Sequence, residues 1–130
     1  MSAPAARARR GAAARRSGRS AEVLAALWLM AKGYRILGFR LKTPQGEIDL
    51  LARRGRVLAV VEVKRRTDLA QALAAVTPEQ RLRLIRAAGA VAGRRKALKG
   101  LDIRLDLFAL APGGRPRHIV GAWGHDEVRA

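Results

Sequence analysis

Residues 46–66, GEIDLLARRGRVLAVVEVKRR, decide the fold because they read as two strands joined by a polar turn. The apolar runs, residues 47–52 and 57–64, are rich in Val, Leu and Ile, and residues 53–56 between them are Arg, Arg, Gly and Arg. This pattern predicts a β-hairpin across the polar turn. Because the second run begins with five residues that are apolar on both faces, we expect a central strand that is covered on both sides.

Three charged side chains interrupt these apolar runs. Asp49 lies in the first run, while Glu62 and Lys64 occupy alternate positions of the second and therefore share one face of the strand. A buried carboxylate that lacks a partner either costs several kcal/mol or takes up a proton. The three side chains must therefore compensate one another or bind a cation.

Two interpretations of this cluster follow from its residue types. In the first, Lys64 bridges Asp49 and Glu62 as a structural ion-pair cluster at the end of the strands. In the second, Asp49, Glu62 and the backbone carbonyl of Val63 bind Mg²⁺ or Mn²⁺, which prefer oxygen ligands. Lys64 would then orient or help to deprotonate an attacking water and would offset charge on a phosphate.

The chain is strongly basic, with 27 Lys and Arg against 10 Asp and Glu in 130 residues and a formal net charge of +17. This excess favours a polyanionic partner, because cations that neutralise phosphates release counterions; a codon bias toward Arg and Ala is the alternative reason. The aromatic content of 4% argues against recognition by base stacking. Because cysteine is absent, a disulfide framework and a thiolate zinc site are excluded.

The chain divides into three predicted parts. Residues 1–19 hold six Arg, no acid and no apolar face, which is typical of a flexible basic arm. Residues 20–124 are expected to form one domain, and residues 125–130 a C-terminal tail. No apolar run approaches the roughly 18 residues of a membrane span, and no secretory signal is recognisable. We therefore expect a cytoplasmic protein.

Helix start and stop signals give the order of the elements in the domain. A first helix is predicted to begin after Ser20 as its N-cap and to end at Gly33. TPEQ, residues 77–80, predicts a capping box at the start of a long helix that runs to about Lys96. Further strands are predicted at residues 102–110 and 118–123. The order is α-β-β-β-α-β-β, which indicates an α/β domain with a mixed sheet.

Several motifs together resemble the YraN family of small bacterial proteins over about residues 15–123. They are GEIDLLA and VVEVKRR in the hairpin, an E-x-x-A-x-x-x-L helix at residues 22–29, GYRIL, an R-x-D strand and a late HI. The family is similar to PD-(D/E)XK nucleases, with kinship to Holliday-junction resolvases. The resemblance implies a restriction-endonuclease-like αβββαβ core with a mixed central sheet flanked by helices, which agrees with the order of elements above.

The resemblance also implies roles for individual residues. Asp49 matches the motif aspartate, Glu62 the second acidic metal ligand and Lys64 the motif lysine. Glu22 matches a helix glutamate that reaches the metal site in the resolvases, although an acid there also suits the start of a helix. Gln80 stands where the resemblance leads us to expect Lys, and it can instead serve as a capping residue.

The remaining charged residues divide into a surface and a structural group. Arg104 and Asp106 share a strand face and predict a salt bridge that supports the fold, and His118 is interpreted as a structural histidine. Seven arginines are predicted to contact the nucleic-acid backbone without reading its sequence: Arg53, Arg54, Arg65, Arg66, Arg81, Arg83 and Arg86.

Residues and resemblance together predict a Mg²⁺- or Mn²⁺-dependent DNA endonuclease with branched or junction DNA as a candidate substrate. Since junction resolvases act as dimers, the resemblance also implies a homodimer. The alternative is a catalytically inactive, basic nucleic-acid-binding protein with the same fold, whose binding would depend on salt and not on Mg²⁺.

Overall fold

The structure, a computed structural model, describes residues 19–124 and the backbone of residues 128–129. The predicted basic arm lies outside the described residues except for Arg19, which is helical. In chain order the elements are α1 (19–31), β1 (Arg35–Thr43), β2 (Gly46–Arg54), β3 (Val57–Arg65), α2 (Leu69–Ala74), α3 (Pro78–Gly93), a 3₁₀ turn (Lys96–Leu98), β4 (Asp102–Leu110), β5 (Arg117–Ile119) and β6 (Val128–Arg129).

The strands form one mixed sheet in the order β1-β2-β3-β4-β5. β3 and β4 pair in parallel, and the other neighbours along this order pair antiparallel. The two-residue strand β6, from the segment expected to be a tail, pairs antiparallel with the start of β4. Helices flank the sheet, so the predicted α/β class with a restriction-endonuclease-like core is confirmed.

The β2–β3 hairpin is tighter than predicted. Arg54 pairs with Val57, so that Gly55 and Arg56 alone form the turn and Arg53 belongs to β2. Gly55 has φ +60°, a left-handed conformation that glycine adopts without the steric penalty of a side chain. The short turn fixes the register of the whole hairpin.

β3 is covered on both faces, as the sequence predicts. Leu58 and Val60 pack with buried residues of α3, while Ala59 and Val61 pack with buried residues of α1. Because alternate side chains of a strand point to opposite faces, Glu62 follows Val60 onto the α3 face. The strand that carries the motif acid is therefore held rigidly between two apolar layers.

Three predicted boundaries are wrong by a few residues. Residues 19 and 20 are already helical, so Ser20 is not the N-cap of α1. The capping box of Thr77 and Gln80 is confirmed, but α3 ends at Gly93 and a separate 3₁₀ turn follows. β5 ends at Ile119 because the chain turns at Gly121, which has φ +54° and donates its N–H to the Asp106 carboxylate.

Within residues 19–124, no helix combines the length and the apolar character that crossing a bilayer requires.

Candidate active site

The site begins where β2 separates from β3. Backbone pairing of the two strands starts at Leu50 opposite Val61. One position earlier, the Asp49 side chain replaces the backbone partner, because the N–H of Val63 donates to Asp49 Oδ2 at 3.0 Å. The N–H and C=O of one residue in a strand point to the same side. The carbonyl of Val63 therefore also points toward Asp49.

Glu62 and Lys64 complete this cluster from β3. Lys64 Nζ lies 3.7 Å from Glu62 Oε2, which is an ion pair at the long end of the range, and the Glu62 side chain is only 10% exposed. Burial, reinforced by the neighbouring charge of Asp49, raises the pKa of Glu62 from 4.5 to about 8. Burial also raises the pKa of Asp49, against the opposing effect of the Val63 hydrogen bond. The two carboxylates thus lack sufficient positive charge and hydrogen-bond donors to be stable as a pair of anions.

A cavity of about 170 Å³ opens beside these acids. It lies between the start of β2 and the first turns of α3, and Asp49 and Glu62 form part of its wall. The other lining residues are Gln45, Gly46, Glu47, Gln80, Arg83 and Leu84. The space is large enough for an ion with several waters, whose share of liquid volume is about 30 Å³ each. Solvent and a phosphate oxygen therefore have access to the carboxylates.

The donor set suits a hard divalent cation. Two carboxylates with raised pKa values share one cavity wall, and a carbonyl points toward the same side. Mg²⁺ and Mn²⁺ take such oxygen ligands and keep several waters. Over the described ranges, no group of three or more acidic or histidine side chains is arranged to hold a metal. The donors that the cluster offers are therefore the carboxylates of Asp49 and Glu62 and the carbonyl of Val63, without a third carboxylate among the described residues.

Glu22 forms an ion pair with Arg40. The Nε of Arg40 donates to both carboxylate oxygens of Glu22 at 2.9 Å. Arg40 lies between Phe39, which pairs with Leu50, and Leu41, which pairs with Ile48, so it stands beside Asp49 across the two strands. It has φ +46°, which is unusual for a residue other than glycine. The Glu22 carboxylate is therefore already paired with Arg40, and its predicted contact with a metal stays a prediction.

The predicted nucleic-acid-binding arginines occupy three places. Arg83 lines the cavity of the acids, Arg86 is exposed further along α3, and Arg81 lies over the Trp123 ring at 5.7 Å from its centroid. Arg65 and Arg66 are exposed at the end of β3. Arg53 and Arg54 lie at the opposite end of the hairpin from the acids.

Gln80 and the turn before β2 are contributors to the site that the sequence left without a clear role. Gln80 caps α3 through the Thr77 backbone N–H, which donates to its Oε1 at 2.9 Å, and it also lines the cavity. Gln45 and Glu47 line the cavity from the other side. Gln45 and Glu47 are close to Asp49 in sequence, which is a signal for them, whereas Gln80 reaches the cavity only because α3 packs against β2.

A second buried acid lies on the other face of the sheet. Asp106 is 0% exposed and accepts hydrogen bonds from Arg104 Nε and Nη2 at 2.8 Å, from His118 Nε2 at 2.8 Å and from the Gly121 N–H at 3.0 Å. These donors lower its pKa despite burial. Arg104 Nη2 also donates to the hydroxyl of Tyr34. The predicted salt bridge is confirmed, and it belongs to a fully partnered network.

Comparisons with known proteins agree on one family. The sequence profile of Uncharacterised protein family UPF0102 matches residues 21–110. A UPF0102 protein of Caulobacter sp. (strain K31) is 71% identical over 114 residues, which cover 88% of this chain and 82% of that relative. A UPF0102 protein of Caulobacter vibrioides (strain NA1000 / CB15N) is 68% identical over 115 residues, which cover 88% of this chain and 92% of that relative. A UPF0102 protein of Parvibaculum lavamentivorans is 51% identical over 113 residues, which cover 87% of this chain and 85% of that relative.

Proposed function

The chain belongs to the UPF0102 family, within the restriction-endonuclease-like nuclease superfamily, and we propose that it is a cytoplasmic, metal-dependent endonuclease that hydrolyses phosphodiester bonds in DNA. One observation carries the proposal: Asp49 and Glu62 share the wall of an open cavity, with Lys64 beside them, and lack the donors that a structural acid pair requires. Branched or junction DNA is the proposed substrate class, on the resemblance to resolvases.

Each residue of the cluster has one role. Asp49 and Glu62 would hold the cation through carboxylate oxygens, and Val63 would add its carbonyl, while its N–H fixes the orientation of Asp49. A Mg²⁺ or Mn²⁺ ion held there supplies Lewis-acid activation of the phosphate and of the attacking water. Lys64 Nζ, which is close to Glu62, orients the water and offsets negative charge that develops on the phosphate oxygens.

Two further groups position the reactants. Arg83 lines the same cavity and is placed to contact a phosphate next to the scissile one. Glu22 acts through Arg40, whose backbone lies beside Asp49 on the neighbouring strand. Glu22 is thus a positioning residue in this proposal, because its carboxylate is already bound by the Arg40 guanidinium.

A homodimer is part of the proposal, as in the resolvases. The outer face of α1 exposes apolar side chains, with Val23 at 52%, Leu27 at 57% and Met30 at 56% of their full exposure. These residues follow helical spacing, so they form one stripe that a second copy could cover. Sedimentation velocity that shows a monomer at micromolar concentration would remove this part of the proposal.

The cleavage experiment uses linear, single-stranded, flapped and four-way DNA with Mg²⁺, Mn²⁺ or EDTA. We expect cleavage with either metal and none with EDTA. Asp49→Asn, Glu62→Gln and Lys64→Ala should each abolish cleavage, a loss of about 10³-fold or more, while DNA affinity stays within a few-fold. Glu79→Gln, an exposed acid of α3, is the matched control and should cleave like the wild type. Retained metal-dependent cleavage in all three site variants would refute the mechanism.

A further inference from the structure

A second cavity lies at the turn end of the hairpin, away from the acids. It measures about 400 Å³ and is lined by Gly33, Arg35, Arg53, Arg54 and Gly55. Among the residues that the structure describes, no carboxylate lines it. Three arginines therefore line one cavity, and none of the described residues around it is an anion.

Arg53 and Arg54 are held by backbone carbonyls and not by carboxylates. Arg53 donates from Nε to the Gly55 carbonyl at 3.1 Å and from Nη1 to the Ala97 carbonyl at 2.7 Å. Arg54 donates from Nη1 to the Lys32 carbonyl at 3.0 Å. A carbonyl orients a guanidinium but does not neutralise it, so both arginines keep their full charge.

Arg40 and Arg104 show the contrasting case in the same molecule. Arg40 is paired with the carboxylate of Glu22, and Arg104 with that of Asp106. Their charges are balanced within the fold. Arg53 and Arg54 are also oriented by hydrogen bonds, but no carboxylate of the described residues balances their charge, so that an external anion can do so.

The strand register places a third arginine, Arg35, next to Arg53. Arg35 of β1 lies directly opposite Arg53 of β2. Directly opposite residues of antiparallel strands point to the same face, and like charges in such a pair destabilise a sheet. An anion bound between the two side chains would remove this repulsion.

Arginine presents five N–H donors, of which Arg53 uses two and Arg54 one in these bonds to carbonyls. The remaining donors can form charge-assisted, bidentate hydrogen bonds, which phosphate oxygens accept especially well. Arg54 is fixed further by stacking over the Tyr34 ring, 4.6 Å from its centroid. Arg53 and Arg54 are thus held in place before a phosphate group binds.

We propose that Arg35, Arg53 and Arg54 form a second phosphate-binding site, which grips the backbone of the nucleic acid some distance from the bond that is cleaved. The inference rests on the proposed function for the identity of the partner. Asp49 and Arg53 are four residues apart on β2, which spans about 13 Å at 3.3 Å per residue. At 3.4 Å per nucleotide along a duplex, this is about four nucleotides. The second site therefore sets the register of the DNA on the enzyme.

The test measures binding to a duplex of about 20 base pairs in EDTA, by fluorescence anisotropy at several KCl concentrations. The variants are Arg35→Ala alone and the double variant Arg35→Ala/Arg53→Ala. The single variant keeps the test informative if loss of the Arg53 hydrogen bonds weakens the fold. We expect the double variant to bind about tenfold more weakly, with a salt slope about one to two units shallower. The control is Arg115→Ala/Arg117→Ala, exposed arginines with the same charge change, which should bind within about twofold of wild type.

The outcomes separate this inference from the proposed function. If wild type binds DNA and the Arg35 and Arg53 variants bind with unchanged affinity and slope, the second site is refuted and the nuclease proposal stands. Equal losses in the two double variants would show a general charge effect and would also refute the site. If wild type binds no DNA, both proposals fail. A parallel arm uses vesicles of phosphatidylcholine and phosphatidylserine; a loss confined to vesicle binding would overturn the assignment to nucleic acid.

Discussion

The two buried acidic clusters lie on opposite faces of one sheet and differ in how well they are partnered. Asp106, on the α1 face, accepts four hydrogen bonds, three of them from Arg104 and His118, and its pKa is lowered. On the α3 face, Asp49 accepts the Val63 N–H and Glu62 has Lys64 at 3.7 Å, and both acids have raised pKa values.

This difference separates a structural acid from a candidate functional one. Burial alone does not distinguish the two kinds of acid, because it disfavours the charged form of both Glu62 and Asp106. What differs is the supply of hydrogen-bond donors. The network of Asp106 is complete within the fold, whereas the pair of Asp49 and Glu62 borders a cavity in which, in our proposal, a cation would complete it. The same comparison applies to the arginines: Arg40 and Arg104 are paired with carboxylates, whereas the arginines at the hairpin turn are oriented by carbonyls.

The largest stability effect should come from breaking the complete network. Asp106→Asn leaves the Arg104 guanidinium buried without its counter-charge, so we expect the free energy of unfolding to fall by about 3 kcal/mol or more. Urea denaturation at pH 7 measures this, with Glu79→Gln as an exposed control that should change stability by less than about 0.5 kcal/mol. A loss below about 1 kcal/mol for Asp106→Asn would show that the network is not structural.

The corresponding substitution on the α3 face should instead raise the free energy of unfolding. Glu62→Gln removes a buried charge and its amide can still donate to Asp49, so we expect the metal-free protein at pH 8 to be more stable by about 1–3 kcal/mol. Urea denaturation in EDTA measures the change. Destabilisation of similar size would place Glu62 in a satisfied structural pair and would remove the contrast between the two faces.

The pH dependence of stability gives the same comparison between the two acids. The pKa of Glu62 is about 8 in the folded state and 4.5 ordinarily, so between these values the folded state holds a proton that the unfolded state has released. Glu62 therefore makes metal-free stability fall as pH rises from about 4.5 to 8 and adds no further change above that. Asp106, whose pKa is lowered, stabilises the fold above its unfolded pKa and loses this contribution as pH falls. Stability curves of wild type and Glu62→Gln in EDTA should thus diverge over that window, and parallel curves would contradict the assignment.

The smallest expected effect concerns Glu47 at the edge of the cavity. Its charge is one of the causes that raise the pKa of Asp49, after burial. Glu47→Gln should therefore lower the pKa of Asp49 slightly and change the free energy of unfolding by less than about 0.5 kcal/mol, because Glu47 is exposed. A carboxyl titration followed by NMR measures the shift. A rise in the pKa of Asp49 would show that Glu47 does not act through its charge.

Local sequence patterns predicted most of the fold. The strand at residues 102–110, the capping box at Thr77 and the doubly apolar run of β3 each depend on neighbouring residues, and all are confirmed. The charged residues of the hairpin could be identified as a cluster for the same reason, since strand alternation places Glu62 and Lys64 on one face.

The parts that the sequence did not predict depend on contacts distant in the chain. Glu22 pairs with Arg40, which is 18 residues away in the chain and has a positive φ that its residue type does not signal. β5 is shorter than expected because Asp106, on another strand, takes the N–H of Gly121. Gln80 meets the acids only through the packing of α3 on β2. Such tertiary contacts override local propensity.

The most direct test of the central claim is calorimetric titration of Mg²⁺ or Mn²⁺ into the protein at pH 7, in two buffers of different ionisation enthalpy. Because Glu62 is mostly protonated at this pH, we expect binding at a single site with release of close to one proton, and release should diminish above pH 8. Asp49→Asn should abolish binding, and Glu79→Gln should leave it unchanged. Absence of binding, or binding that Asp49→Asn does not weaken, would contradict a cation site between the two hairpin strands.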